Sequence, residues 1–140
     1  MQTKIQFSAG GVVYRRVGEE VQVALVGKGE PRVWALPKGL IERREAPAAA
    51  AAREAAEETG LQVRLVGKID DIEYWYVDKG ENCRYHKKVY HFLFEATGGD
   101  IAGHDWEYDV AAWYNIDEAP NVMSYANEAK IVKKAKEMLG

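Results

Sequence analysis

From Pro47 to Thr59 the chain reads Pro-Ala-Ala-Ala-Ala-Ala-Arg-Glu-Ala-Ala-Glu-Glu-Thr, a composition that leaves the backbone few options other than a helix. Proline suits a first helical turn, alanine is the best helix former, and Gly60 stands where a C-terminal cap glycine belongs. At about 100° per residue, Glu57 lies about 60° to one side of Glu54 and Glu58 about 40° to the other. Three carboxylates therefore crowd one arc. The far side is expected to carry Ala48, Ala49, Ala52, Ala55 and Ala56, small enough for close docking on a sheet. Like charges four apart, as at Glu54 and Glu58, destabilise a bare helix by roughly 0.2–0.5 kcal/mol. A cation relieves that repulsion, and several carboxylate oxygens suit magnesium or manganese rather than zinc. Taken alone, the pattern also fits a solvated, glutamate-rich face.

The rest of the chain supplies strands. Val12-Val13-Tyr14 and Val21 to Val26 flank Gly18-Glu19-Glu20 and predict a β-hairpin. Trp34 to Leu36 is a short apolar piece stopped by Pro37, and Lys38 to Glu45 reads as a charged loop. Gln62 to Val77 and Cys83 to Glu95 are two long strand candidates, with Ile72, Tyr74 and Tyr76 on one face of the first. Val110 to Tyr114 is a further strand. Tyr125, Ala129, Val132, Ala135 and Leu139 recur at helical spacing and predict a closing amphipathic helix. Strands before, between and after two helices imply a mixed α/β fold, and 140 residues fit a single domain over 1–140.

Charge and cysteine content narrow the partners. Nineteen basic and 22 acidic residues give a net charge of −3, which argues against duplex nucleic acid as the main partner. Cys83, the single cysteine, can form neither an internal disulfide nor a multi-thiolate zinc site, so a reducing cytoplasm is the expected setting. Met1 to Gly10 has no apolar signal core, and no stretch approaches the roughly 20 apolar residues of a membrane span. No membrane partner is expected. Nothing in the sequence sets an oligomeric state.

The surroundings of the helix decide between its two readings. Gly39, five residues, Glu45, seven residues and then Arg53-Glu54-Ala55-Ala56-Glu57-Glu58-Thr59-Gly60-Leu61 resemble the Nudix box, G-x5-E-x7-R-E-U-x-E-E-x-G-U, across residues 39–61. All seven fixed positions match, an agreement expected by chance on the order of once in a million. Ala55 departs from the bulky aliphatic residue preferred there, which touches packing rather than chemistry. Gly10-Gly11-Val12-Val13-Tyr14, Trp34 to Gly39 and a glutamate six before Trp113 are similar to one branch of the family, the dinucleoside polyphosphate hydrolases and related nucleoside triphosphate pyrophosphohydrolases.

The resemblance implies an α/β/α sandwich, a mixed sheet between the box helix and the C-terminal helix. It implies that Glu54, Glu57 and Glu58 bind magnesium, with Glu107 as a further ligand or base. The general base stays open among Glu54, Glu58 and Glu107. Arg53 and Glu45 are implied to pair and, with Gly39 and Gly60, to be structural. Lys38 and Lys87 are candidate phosphate contacts, and Tyr74, Tyr76 and Tyr125 candidates for stacking a base. Lys88 reads as part of a charged edge strand, His91 and His104 as structural, and Trp34, Trp106 and Trp113 as core or pocket rim.

The implied activity is metal-dependent hydrolysis of a phosphate–phosphate bond in a small nucleotide, led by diadenosine tetraphosphate to ATP and AMP. A nucleoside triphosphate, oxidised ones included, cut to monophosphate and pyrophosphate is the alternative. A non-catalytic nucleotide-sensing module ranks below both, since such modules lose box carboxylates that are all present here.

Overall fold

The computed structural model describes residues 1–140. β1 (Gln2–Val17) is buried on both faces from Ser8 to Tyr14, where small and apolar residues run without a break, and Gly18, in the left-handed region at φ 62°, turns it into β2 (Glu20–Lys28). Short strands β3 (Val33–Ala35) and β4 (Lys38–Leu40) follow, then the helix α1 (Pro47–Thr59). A long hairpin, β5 (Leu61–Asp78) and β6 (Cys83–Gly99), leads through a 3-10 turn at Ile101–Gly103 to β7 (Val110–Asn115). The chain closes with α2 (Ala119–Val122) and α3 (Ala126–Leu139).

All seven strands join one mixed sheet in the order β3-β2-β1-β6-β5, with β4 paired to β1 and β7 to β2. Only β1 and β6 run parallel, in register from Gln2 beside Cys83 to Tyr14 beside Glu95. The period-2 alternation of strands sends successive residues of β1 to opposite layers. Ala9 and Val13, with Ala24, Phe92 and Phe94, meet Ala50, Ala51 and Ala55 of α1. Val12 and Tyr14, with Val23, Leu25 and Leu93, meet Ile131, Val132 and Ala135 of α3. The sheet thus lies between the box helix and the C-terminal helix, the α/β/α sandwich expected.

Two local expectations need correcting. Lys38 to Leu40 is a strand and not loop, because Ser8, Ala9 and Gly10 of β1 offer it a free edge below the start of β2. The buried face of α1 is also rotated from the one assigned: Ala50, Ala51, Ala55, Glu58 and Thr59 are buried while Ala49 is exposed. Counting alanines placed that face opposite the glutamates, whereas the helix turns Glu58 itself inward. Gly60 closes α1 at φ 76°, its N–H donating to the Ala56 carbonyl. A side chain there would also meet backbone of Asp100 and Gly103, so the cap and the docking of the next turn share one requirement.

Candidate active site

The pairing of β4 with β1 lays Lys38-Gly39-Leu40 across the face of α1 that carries Glu54 and Glu58. The Lys38 N–H donates to both Glu58 oxygens, at 3.3 and 3.1 Å. Glu58 is fully buried. Burial, joined by the charges of Glu107 and Glu54 and opposed by the Lys38 N–H, pushes its carboxyl up to about 9. Glu107 is exposed, on the segment before β7, and close enough for its charge to act on Glu58. Asp105 anchors that segment by donating its N–H to the Glu57 carbonyl at 3.0 Å. Tyr108, which the sequence did not single out, is half-buried against Glu58; burial first, then Glu58 and Glu107, hold its phenol well above the usual range.

Arg53 ties the loop to the helix. Its Nε and Nη2 donate to the two Glu45 oxygens at 2.8 and 2.9 Å, a forked pair that Arg geometry favours. That pairing, then the Glu42 N–H, holds the Glu45 carboxyl down at about 2. Nη1 reaches Glu54 at 2.6 Å and, more loosely, Glu57 at 3.6 Å. Glu57 is half exposed, with 53% of its side chain in solvent. Arg53 thereby draws Glu54 and Glu57 to itself, and no three acidic, imidazole or thiol groups converge on one point. The structure brings Glu54, Glu58 and Glu107 into one electrostatic group and leaves Glu57 at its margin.

Beyond Lys38 lies a cleft of about 450 Å3 between the sheet and the start of α3, lined by Ile72, Tyr74, Val89, His91, Tyr125 and Glu128 among others. Tyr74 and Tyr125 expose 36% and 49% of their surface, so their rings are available to a ligand. Tyr76 is not part of this lining: its hydroxyl donates to Gln6 at 2.7 Å and its ring stacks on Tyr85 at 4.9 Å. The two tyrosines share a strand face, but Tyr76 lies further toward the hairpin end, where Tyr85 covers it. Lys87 pairs in register with both Tyr74 and Gln6. It is half-buried, and burial and the nearby Lys38 charge push its ammonium down with no anion to oppose them. Lys88, by contrast, reaches Asp71 and Glu73 on the other face. The charged edge strand expected for it is instead the interior strand β6, paired on both sides by β1 and β5, and its partners lie on the edge strand β5.

Glu128 also escaped the sequence reading. It is 4% exposed, accepts the Leu36 N–H at 3.1 Å and pairs with the Lys38 ammonium at 2.9 Å. Its signal was visible: a lone acid in the stripe Glu128, Ile131, Val132, Ala135 on the buried side of α3. His91, expected to be structural, is buried with neither ring nitrogen hydrogen-bonded. Trp106, expected in the core or at a rim, is 94% exposed.

Comparison with known proteins gives one family. A model of the NUDIX domain matches residues 4–135. The chain is 37% identical, over 99% of its own length and 58% of the relative's, to a Mycobacterium tuberculosis protein named MutT4. It is 29% identical, over 91% of its length and 40% of the relative's, to an 8-oxo-(d)GTP phosphatase of Mycolicibacterium smegmatis. The chain spans about half the length of these curated relatives. Among solved structures, the C. elegans Ap4A hydrolase in a binary complex superposes with a TM-score of 0.72 at 22% identity, covering 96% of this chain and 97% of that one. That likeness is one of fold.

Proposed function

The chain belongs to the NUDIX domain family, and from that premise we propose that it hydrolyses a phosphate–phosphate bond in a nucleotide with the help of divalent metal. One observation carries the reading: Lys38 stands in two places at once, its N–H on the Glu58 carboxylate and its side chain in the aromatic cleft. A ligand with an aromatic end in that cleft therefore has a route for its anionic end to the carboxylates.

The donors fit magnesium or manganese. Glu54, Glu57, Glu58 and Glu107 supply only hard oxygens, and Glu58 is a buried carboxylate whose own neighbours repel its charge. A cation held there would draw electron density from phosphoryl oxygens and lower the pKa of an attacking water. Glu107, the solvent-facing member of the group, would be placed to accept the proton of such a water, with Glu54 and Glu58 the other candidates for that role. Arg53 keeps the loop and helix in register through Glu45, while Gly39 leaves the Glu54 carboxylate room. Lys87 neutralises the phosphate chain, Lys38 meets its metal-side end, and Tyr74 and Tyr125 flank the base. Tyr76 supports Tyr74 from behind, their ring centroids 6.2 Å apart.

Diadenosine tetraphosphate, cut to ATP and AMP, is the leading substrate, because a long phosphate chain uses both lysines. The second reading is a nucleoside triphosphate, oxidised or not, cut to monophosphate and pyrophosphate; the mycobacterial relative's name favours it. Incubating the protein with magnesium and a nucleotide panel, then resolving products by ion exchange, tests both. ATP plus AMP from diadenosine tetraphosphate supports the first, and pyrophosphate from a triphosphate the second. Binding with no product from any nucleotide would make the chain a sensing module.

A further inference from the structure

His91 sits on β6 at the floor of the cleft and is 1% exposed, yet neither ring nitrogen has a hydrogen-bond partner. The Val89 backbone approaches the ring without completing a bond. Its strand neighbours offer nothing more: Gly10 on one side has no side chain, and Asp70 on the other is engaged by Lys134. Ser8, beside Val89 in the register, is likewise buried with its hydroxyl unpaired. Buried polar groups are nearly always hydrogen-bonded, so two orphans beside one cleft point to a partner that arrives from outside.

We propose that His91 is a specificity-determining residue of this cleft, its imidazole presenting one ring nitrogen, as donor or acceptor according to its tautomer, to the edge of a nucleobase flanked by Tyr74 and Tyr125. The inference rests on reading the cleft as the nucleotide site. Burial, then the Lys38 charge, holds the imidazole down at about 4, so it is uncharged at neutral pH. An uncharged ring adds little to the binding of phosphates, which Lys38 and Lys87 serve better. Its two nitrogens point apart, so a base edge meets one of them, and the tautomer sets whether a donor or an acceptor is read there. Ile72 and Val89 complete a dry floor, where a mismatched edge leaves His91 unpaired and is rejected.

The test uses nucleosides, which carry a base and no phosphate. Protein labelled with 15N at its histidine rings is titrated with adenosine, guanosine, cytidine and uridine, following His86, His91 and His104. The His91 ring signals are expected to move, with affinities spread at least about tenfold between best and worst base. His91→Phe, which keeps an aromatic ring, is expected to compress that spread to roughly twofold, and His91→Asn, which keeps a donor and an acceptor, to retain part of it. Nucleosides that bind while His91 stays still would overturn the proposal. So would an unchanged ranking in His91→Phe, or no binding of any nucleoside. If the phenylalanine variant does not fold, the wild-type titration and the asparagine variant still decide. Turnover of the nucleotide panel runs in parallel: His91 shifts without turnover sink the hydrolytic reading alone, and turnover with a silent His91 sinks this one alone.

Discussion

A methyl group placed on Gly39 would lie 2.2 Å from the carboxyl carbon of Glu54 and within 2.5 Å of both its oxygens. The obstacle is the tip of a flexible side chain, not backbone, so Gly39→Ala should move Glu54 and leave β4 in place. Turnover is expected to fall at least about tenfold, a loss of roughly 1.4 kcal/mol. The melting temperature should drop by no more than about 4 °C, near 1 kcal/mol for a domain of this size. A large melting shift with normal turnover would mean that Gly39 serves only the strand.

Glu57→Gln separates a metal ligand from a partner of Arg53. The observed pair is long and half exposed, so its loss should leave stability nearly unchanged. If Glu57 turns to the metal, turnover falls by about a hundredfold, equivalent to roughly 2.7 kcal/mol of transition-state stabilisation. Calcium, larger and less demanding of octahedral geometry, should bind without supporting full activity. Near-normal turnover of the variant at saturating magnesium removes Glu57 from the metal.

Glu58 links metal, pH and stability. Burial pushes its folded carboxyl up to about 9, against 4.5 for a free glutamate. Between those values the unfolded chain has released a proton that the folded chain keeps, so stability falls as pH rises through the window. Metal-free protein in chelator should therefore melt lower at pH 8.5 than at pH 5.5. Measuring the difference from Glu58→Gln cancels the contribution of other groups. Magnesium needs the ionised carboxylate, so its binding should tighten and its stabilisation grow with pH. A flat or rising difference between wild type and variant in chelator would contradict the assignment.

Lys87→Ala should raise KM for diadenosine tetraphosphate more than for a nucleoside triphosphate, since four phosphates reach further along the cleft. Its ammonium is half-buried without an anion, so its loss should not lower the melting temperature. Equal KM changes for both substrates, or a marked loss of stability, would make Lys87 a structural residue of β6 rather than part of the phosphate track.

The box helix was legible to the residue, Pro47 to Thr59 with Gly60 behind it, because proline, alanine and glycine each act locally. The hairpin strands and their shared tyrosine face were legible from period-2 alternation. What escaped depends on neighbours distant in the chain. β4 is a strand only because β1 leaves an edge free, and β1 itself begins ten residues before Val12, through Gly10 and Gly11, whose positions admit no side chain against Pro37 and Phe92. The rotation of α1 follows from what the sheet offers Ala51 and Ala55, which no count of alanines contains. His91 is an ordinary polar residue in sequence and becomes unusual only once burial is known.

The parallel pairing of β1 with β6 joins residues 83 − 2 = 81 apart at its start, and it carries Gly10 and Ser8 beside His91 and Val89. The α1 helix and the β5–β6 hairpin, in contrast, close over short distances and can form early. Long-range parallel contacts are reached only after loop-closure entropy has been met, and they slow folding. Shortening Val13, fully buried near the end of that pairing, should therefore slow refolding in stopped-flow fluorescence, whereas truncation on the outer turns of α3 should mainly speed unfolding. During refolding the carboxylate helix is present before the cleft has a floor, so the capacity to bind metal should return ahead of the capacity to choose a base.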